Sequence, residues 1–512
     1  MVSESFALRN LSISNSFRRT ERVPMVSRRQ MLKVLEKDQL DAIHGATLQV
    51  LEKTGVLVNS DQTLDLLERK GLTVDRKTRI VKMHESVVME AVKTCKHNFK
   101  WHARSAKHTI EVVDGRTKMG PGAESVYYID PETDKARVAT LADGILSCQL
   151  LDALDNVQIA YIPMSLSDVP DNAKRAVAMA AGLINSSKLT FGGSTDKNDV
   201  ELAMRLGEAI YGDRETLRKK PLFCGYVDPI SPLSHEHTML EGLLGYASKD
   251  MPVFVTVMAL AGGTAPASIA GLLVQQNAEV LSSIVIAGCV TKAPKIIYGS
   301  VSCPLDMRTS MAATGAPEFS LIGVGAVQLA KYYRLPSNMG VQSDSKAVDE
   351  QAAYEKAFAA LAAAAAGADF SDLFIGSTEA FNSFSPVQLI IDDEIASNAL
   401  RFAEGIEVSE DTLSVDVIAK VGPMGNYLKQ KDTMVKFRKE HLMPKLSDRW
   451  TRTKWNEMGS KDAKKRAKER MMELLNSHHP EPLETEARKS IDSLVREYSK
   501  SFGADALERR RN

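Results

Sequence analysis

VFVTVM at 253–258, SIAGLLVQQNAEVLSSIVIA at 268–287 and IIYGS at 296–300 follow one another with only short loops between. Neither flanking run alternates apolar with polar residues, and both are rich in β-branched side chains. Continuously apolar strands imply a sheet covered on both faces, and a long helix between two of them implies parallel neighbours. The same unit repeats outward in both directions. Further strand-like runs lie near 118–120, 157–162, 189–193, 222–227, 338–341 and 370–375. Helical patterns at 171–184, 199–210, 235–247, 317–332 and 349–366 separate most of them. Eight such strands predict an α/β fold, a (β/α)8 TIM barrel spanning 117–425. A doubly wound open sheet is the alternative, but no G-x-G-x-x-G opens any of these helices, as a dinucleotide site would require.

The flanks read differently. Residues 35–116 predict an N-terminal helical layer. Leu40, Ile43, Ala46, Val50 and Leu51 share one face, and Gly55 supplies a stop. Ser60 is placed to cap a second helix that Gly71 closes, and Val87, Val88, Ala91 and Val92 mark a third. Residues 1–34 read as a flexible arm, with Met25 as an alternative start. Residues 426–512 predict a C-terminal helical extension with an excess of basic residues, either solvated helix faces or a surface for an acidic protein. HHPEP at 478–482 breaks it before a last amphipathic helix.

Composition narrows the chemistry. The 512 residues hold 65 Lys+Arg against 65 Asp+Glu, and this neutrality argues against nucleic acid as the main partner. Five scattered cysteines without a C-x-x-C exclude a disulfide framework and a cysteine-rich zinc module, and predict reduced thiols in the cytoplasm. No apolar run is long enough to predict a membrane crossing. His235 and His237, two residues apart on an expected helix, point away from each other, so no metal is expected on this chain. G-x-S-x-G and P-loop signatures are absent from the sequence.

In a barrel the reacting groups sit where the strands end. Those positions bring Tyr161, Phe191, Tyr226, Tyr298, Phe381 and Phe384 together in a chain with only 6% aromatic residues, and they bring few cations. Aromatic faces attract cations by about 0.5–2 kcal/mol, and a quaternary ammonium offers no hydrogen bond, so a ring cage beside a carboxylate is its natural receptor. The alternative is that these rings fill the barrel interior. Gly192-Gly193 and Gly262-Gly263, after their strands, are either tight turns or places where backbone approaches a ligand or cofactor.

Several motifs resemble the trimethylamine methyltransferase family: LAKYYRLP at 329–336, SDSK at 343–346, DEQAAYE at 349–355 and PVQLIIDDEI at 386–395. PKLSDR at 444–449 with Trp455, and PEPL at 480–483, are similar to its tail. The resemblance runs from about Leu35 onward. It implies a barrel enzyme that passes a methyl group from an amine to the corrinoid (cobalamin) of a separate cognate corrinoid-binding protein. The founding members carry pyrrolysine near the end of a late barrel strand; around that position this chain has Gly340-Val341-Gln342. It therefore resembles the branch without pyrrolysine, whose substrates are quaternary amines such as glycine betaine, proline betaine, carnitine and butyrobetaine. A noncatalytic quaternary-amine-binding barrel remains the alternative. Placing residues on the barrel mouth then assigns Phe191, Tyr226, Tyr298 and Phe381 to the cage and Asp228 and Glu379 to its catalytic field. Asn338 and Gln342 are expected to bind the substrate carboxylate, and Gly192, Gly193, Gly262 and Gly263 to face the cofactor. A homo-oligomer is also expected.

Overall fold

The computed structural model describes residues 32–122, 124–193 and 196–498, so the arm expected over 1–34 lies almost wholly outside the described residues. Seven strands form one parallel sheet: Lys118–Pro121, Thr190–Phe191, Phe223–Val227, Val253–Val257, Ile296–Ser300, Ser337–Met339 and Phe370–Ile375. From Thr190–Phe191 each strand pairs with the next in sequence, until Phe370–Ile375 pairs back onto Lys118–Pro121. The result is a curled α/β sheet. The run at 157–162 is not a continuous strand. Val157 and Ile159 make single parallel bridges, to Met119 and Leu189 respectively.

The expected crossover helices are present as Lys174–Asn185, Lys197–Tyr211, His237–Ser248, Ile269–Ala287, Pro317–Tyr332 and Glu350–Ala366, and Pro386–Glu404 follows the last strand. Their starts are written locally. Ser268, Asp349 and Ser385 accept from the backbone of Gly271, Ala352 and Gln388, and Pro317 and Pro386 occupy first-turn positions where no N–H is needed. Ile269–Ala287 is long and apolar enough to cross a membrane, contrary to the reading from sequence. Most of it is buried, and it packs against the helices Lys37–Lys53 and Glu85–Thr94.

Strand alternation sorts the core into two clusters. Ile159, Leu189, Cys224, Phe254, Ile297 and Phe370 pack inside the curl of the sheet, around Trp101. Val253, Val255, Ile296 and Tyr298 point the other way, into the helical layer. Trp101 comes from a two-stranded ribbon, Lys100–Trp101 with Ile110–Glu111. Its Nε1 donates to the Leu222 carbonyl at 3.1 Å, one residue before the Phe223–Val227 strand. Trp101 therefore plugs the end at which the strands begin, and leaves the other end for a site.

The N-terminal layer holds the three expected helices, with Ser60 capping Asp61–Arg69. It also holds strands that helical periodicity did not reveal. Val56–Val58, Thr73–Asp75 and Ile80–Lys82 form a small sheet with Ser234–His235, which places His235 in a strand and only His237 in the following helix. In the C-terminal extension, Ala463–Ser477 packs on Pro386–Glu404, and Thr485–Tyr498 lies against Lys197–Tyr211.

Candidate active site

A cavity of about 290 Å³ opens where the strands end. Its walls include Tyr161, Phe191, Gly192, Gly193, Tyr226, Asp228 and Leu373, with Glu124 and Arg175 also lining it. Phe191 meets Tyr161 and Tyr226 edge to face, at centroid separations of 5.5 and 5.4 Å and interplanar angles of 78° and 89°. Both tyrosine rings thus stand nearly perpendicular to Phe191. Tyr161 is held in place by its hydroxyl, which donates to the Gly122 carbonyl at 2.6 Å.

Below the rings lies a polar layer. Asp372 is the one acid in the Phe370–Ile375 strand and is 1% exposed. Asn338 Nδ2 donates to its Oδ1 at 2.6 Å. Burial pushes the Asp372 carboxyl up to about 7, against the pull of Asn338 and the Tyr226 hydroxyl. Asp228 opens partly onto the cavity, and burial followed by the nearby Asp372 charge raises it to about 7 as well. Two carboxylates that resist ionisation while facing aromatic walls are poised to gain from a bound cation.

The strand that carries Asp372 is distorted on purpose. Its pairing with Lys118–Pro121 shifts between Ser371 and Ile375, and Leu373 takes a left-handed φ of 56° at the cavity wall. Gln342 Nε2 pins this bulge, donating to the Leu373 carbonyl and to Ser377 Oγ, both at 2.7 Å. From behind, the wholly buried Lys356 donates to the Phe374 carbonyl at 2.9 Å and pairs with Asp392 at 2.7 Å.

A model of the family described as trimethylamine methyltransferase (MTTB) matches residues 9–503. The chain belongs to the trimethylamine methyltransferase family. It is 31% identical over 477 residues to a glycine betaine methyltransferase of Desulfitobacterium hafniense (strain Y51), covering 92% of this chain and 98% of that one. It is 33% identical over 472 residues to the trimethylamine methyltransferase MttB of Methanosarcina thermophila, covering 90% and 96%. The crystal structure of the Methanosarcina barkeri monomethylamine methyltransferase MtmB shares the fold, with a TM-score of 0.50 at 12% identity over 93% of this chain and 89% of that one. The protein is accordingly a methyltransferase of this family, an enzyme rather than a bare binding barrel.

Of the residues singled out from sequence, Phe191, Tyr226, Asp228, Gly192 and Gly193 meet at the cavity. Tyr298 does not reach it. Its neighbour Ile297 faces inward, so Tyr298 faces the helices, and its hydroxyl donates to Asn277 at 3.2 Å. Gln342 is no carboxylate receptor in this arrangement, because both amide hydrogens are already given to Leu373 and Ser377. Asn338 lies one layer below, committed to Asp372. Glu379 accepts from Ser383 Oγ at 2.6 Å, and Phe381 joins an apolar cap with Val301, Phe319 and Leu373. The glycines have local reasons. A Cβ on Gly192 would lie 2.0 Å from the Tyr246 hydroxyl, and one on Gly193 would lie 2.8 Å from the Asp199 carboxyl carbon. Gly262, at a φ of 85°, turns an outer loop where a Cβ would meet nothing closer than 3.8 Å. Among the described residues, no group of three or more His, Cys, Asp and Glu is placed to hold a metal ion. Sequence reading missed Glu124, Arg175 and Asp372. Only Asp372 had a visible signal, a lone acid within a mostly apolar strand.

Proposed function

We propose that this enzyme moves a methyl group from a quaternary amine, glycine betaine first among candidates, to the reduced corrinoid of a cognate partner protein, leaving dimethylglycine. The observation that carries the reading is the cavity in which Tyr161, Phe191 and Tyr226 surround a space bordered by Asp228. A permanently charged nitrogen gains from ring faces and carboxylate alike, and it offers no hydrogen bond that would demand a polar wall. A relative named glycine betaine methyltransferase and the ordinary residues Gly340-Val341-Gln342 support the quaternary-amine branch.

The corrinoid, when presented by its partner, supplies a cobalt nucleophile for one N-methyl carbon. This chain's residues hold the ammonium with that methyl turned outward, and the rings keep water from it. The tertiary amine leaves neutral and keeps the electron pair of the broken C–N bond, so no general acid is needed. The residues at hand suit an ammonium better than a corrin: the Gly192-Gly193 backbone is packed against Tyr246 and Asp199, whereas a Cβ at Gly262 would meet nothing closer than 3.8 Å. Contact with a corrin is therefore assigned to the outer loops around Gly262 and Gly263. The proposal takes the sheet as a complete eight-stranded barrel, supported by the Met119–Val157 and Ile159–Leu189 bridges across its gap. It also includes a cytoplasmic location, in keeping with the five free cysteines, and a homo-oligomer, supported by the exposed apolar side chains Ile406, Val408, Met424 and Leu428 on the C-terminal extension.

The test is a panel of glycine betaine, proline betaine, carnitine, butyrobetaine and trimethylamine, incubated with enzyme and free cobalamin kept reduced. The corrin absorbance reports transfer and mass spectrometry identifies the amine product. Methylated corrin with stoichiometric dimethylglycine is expected. Transfer from trimethylamine alone, or from no member of the panel, would refute the reading.

A further inference from the structure

Arg175 is a cation on the wall of a cavity that otherwise suits a cation. It stands on the helix Lys174–Asn185, and its Nη1 pairs with Glu124. Its Nε lies 3.9 Å from Asp199 Oδ2. Asp199 is 7% exposed and sits against Gly193, so that flank of the guanidinium is fixed by the protein. The Glu124 flank is different: the Glu124 side chain is 54% exposed and that of Arg175 40%. An ion pair this open is weakened by solvent and readily exchanged. If only a cation entered, a guanidinium in the wall would oppose it. A zwitterion reverses the sign, because its carboxylate can take the fork edge that Glu124 holds, in the bidentate geometry for which arginine is suited.

We propose that Arg175 is the specificity-determining residue that reads a carboxylate on the substrate, and that Glu124 holds its place until the substrate displaces it. The inference rests on the quaternary-amine reading above and deepens it: the substrate class is the betaines, trimethylammonium compounds with a carboxylate a short chain away. The ammonium sits against Phe191, Tyr226 and Asp228, and the carboxylate points to the Arg175 rim. This polarity also separates the substrate's own negative end from Asp228, which would otherwise repel it. Released Glu124 turns into solvent and needs no new partner.

The experiment compares glycine betaine with choline, which keeps the trimethylammonium and replaces the carboxylate by a hydroxymethyl group. Binding is read by calorimetry and transfer by corrin absorbance, for the wild type, Arg175→Gln and Glu124→Gln, each checked for folding by thermal melt. Arg175→Gln is expected to weaken glycine betaine binding at least 30-fold and choline binding far less, so the preference ratio collapses. Glu124→Gln removes the competitor and is expected to tighten glycine betaine binding severalfold. A ratio unchanged in Arg175→Gln, or Glu124→Gln weakening both ligands alike, would overturn the inference, since a merely structural ion pair behaves that way. Wild type that binds glycine betaine through Arg175 yet transfers nothing would refute the quaternary-amine transfer proposed above and leave the carboxylate assignment standing. Wild type that binds no glycine betaine refutes the assignment itself.

Discussion

Trp101 and Phe191 lie 5.4 Å apart, ring centre to ring centre, yet they belong to two differently built ends of the sheet. At the end where the strands begin, Trp101 is wholly buried, packs near Phe254 and Phe370 at 6.0 Å from each, and gives its one donor to Leu222. Left-handed backbone occurs at this end too, at Asp250 and Arg334, but in the turns that lead into the strands and not at the tryptophan. At the other end, Phe191 and Tyr226 are only partly buried, Asp228 and Asp372 are pushed up to about 7, and Leu373, Glu379, Ala380 and Phe381 all hold left-handed backbone. The Trp101 plug is arranged for stability, and the cavity end carries unfavourable terms that a ligand can relieve.

Trp101→Ala should break that comparison most forcefully. Removing a buried tryptophan from a packed core destabilises by about 3–5 kcal/mol, and here it also strips the Leu222 carbonyl of its partner. A large fall in the denaturant midpoint is expected. KM for the amine, measured where the variant remains folded, should change by no more than about threefold, the worth of a fraction of a kcal/mol. A collapse in KM with an unchanged midpoint would show that the two ends are not separable.

Asp228 offers the reverse signature. Its native pKa near 7 means that the folded enzyme keeps a proton that the unfolded chain releases near about 4. Between those values the native state binds more protons, so this group's contribution to stability declines as pH rises through the window. A bound ammonium favours the ionised form, so KM should climb by up to about tenfold per pH unit below 7 and level off above 8. Asp228→Asn is expected to flatten that profile and raise KM at pH 8 by roughly tenfold, about 1.4 kcal/mol. The same variant should unfold at equal or higher denaturant than wild type at pH 8. A pH profile that survives in Asp228→Asn would move the titration to Asp372, with which Asp228 is coupled.

The legibility of the sequence followed the same division. Strand and helix alternation around 253–300 was plain because apolar runs and caps such as Ser268 are local signals. The strands of the N-terminal layer were not read: at three residues each, Val56–Val58, Thr73–Asp75 and Ile80–Lys82 are too short for a period to declare itself. At the site, Phe191, Tyr226 and Asp228 were found because strand ends are predictable positions. Tyr298 was misplaced by a single residue of register, which in a strand sends the side chain to the opposite face. Arg175 left no trace, because it reaches the cavity from a helix and only the fold brings it beside Glu124.

The smallest expected effect concerns the backbone of the open end. Glu379, Ala380 and Phe381 hold successive φ values of 54°, 48° and 75°, a left-handed turn that L-residues adopt reluctantly. It is held from outside: the amides of Glu379 and Ala380 donate to the carbonyls of Ser345 and Ser343 at 2.9 and 3.0 Å, and Ser125 Oγ donates to the Phe381 carbonyl at 2.8 Å. Ala380→Gly removes a single methyl from this turn. Relief of the left-handed penalty, about 1–2 kcal/mol, is largely offset by the greater chain entropy that glycine loses on folding, about 0.5–1 kcal/mol. A net stabilisation of about 0.5 kcal/mol is expected, visible as a small rise in the denaturant midpoint. Because the turn fixes Phe381 in the cap that includes Leu373, KM should stay constant if the strain only shapes that cap. If the turn must instead move for the methyl group to be reached, the looser glycine backbone should alter kcat while leaving KM alone, and the strained end would then be a moving part rather than a rigid one.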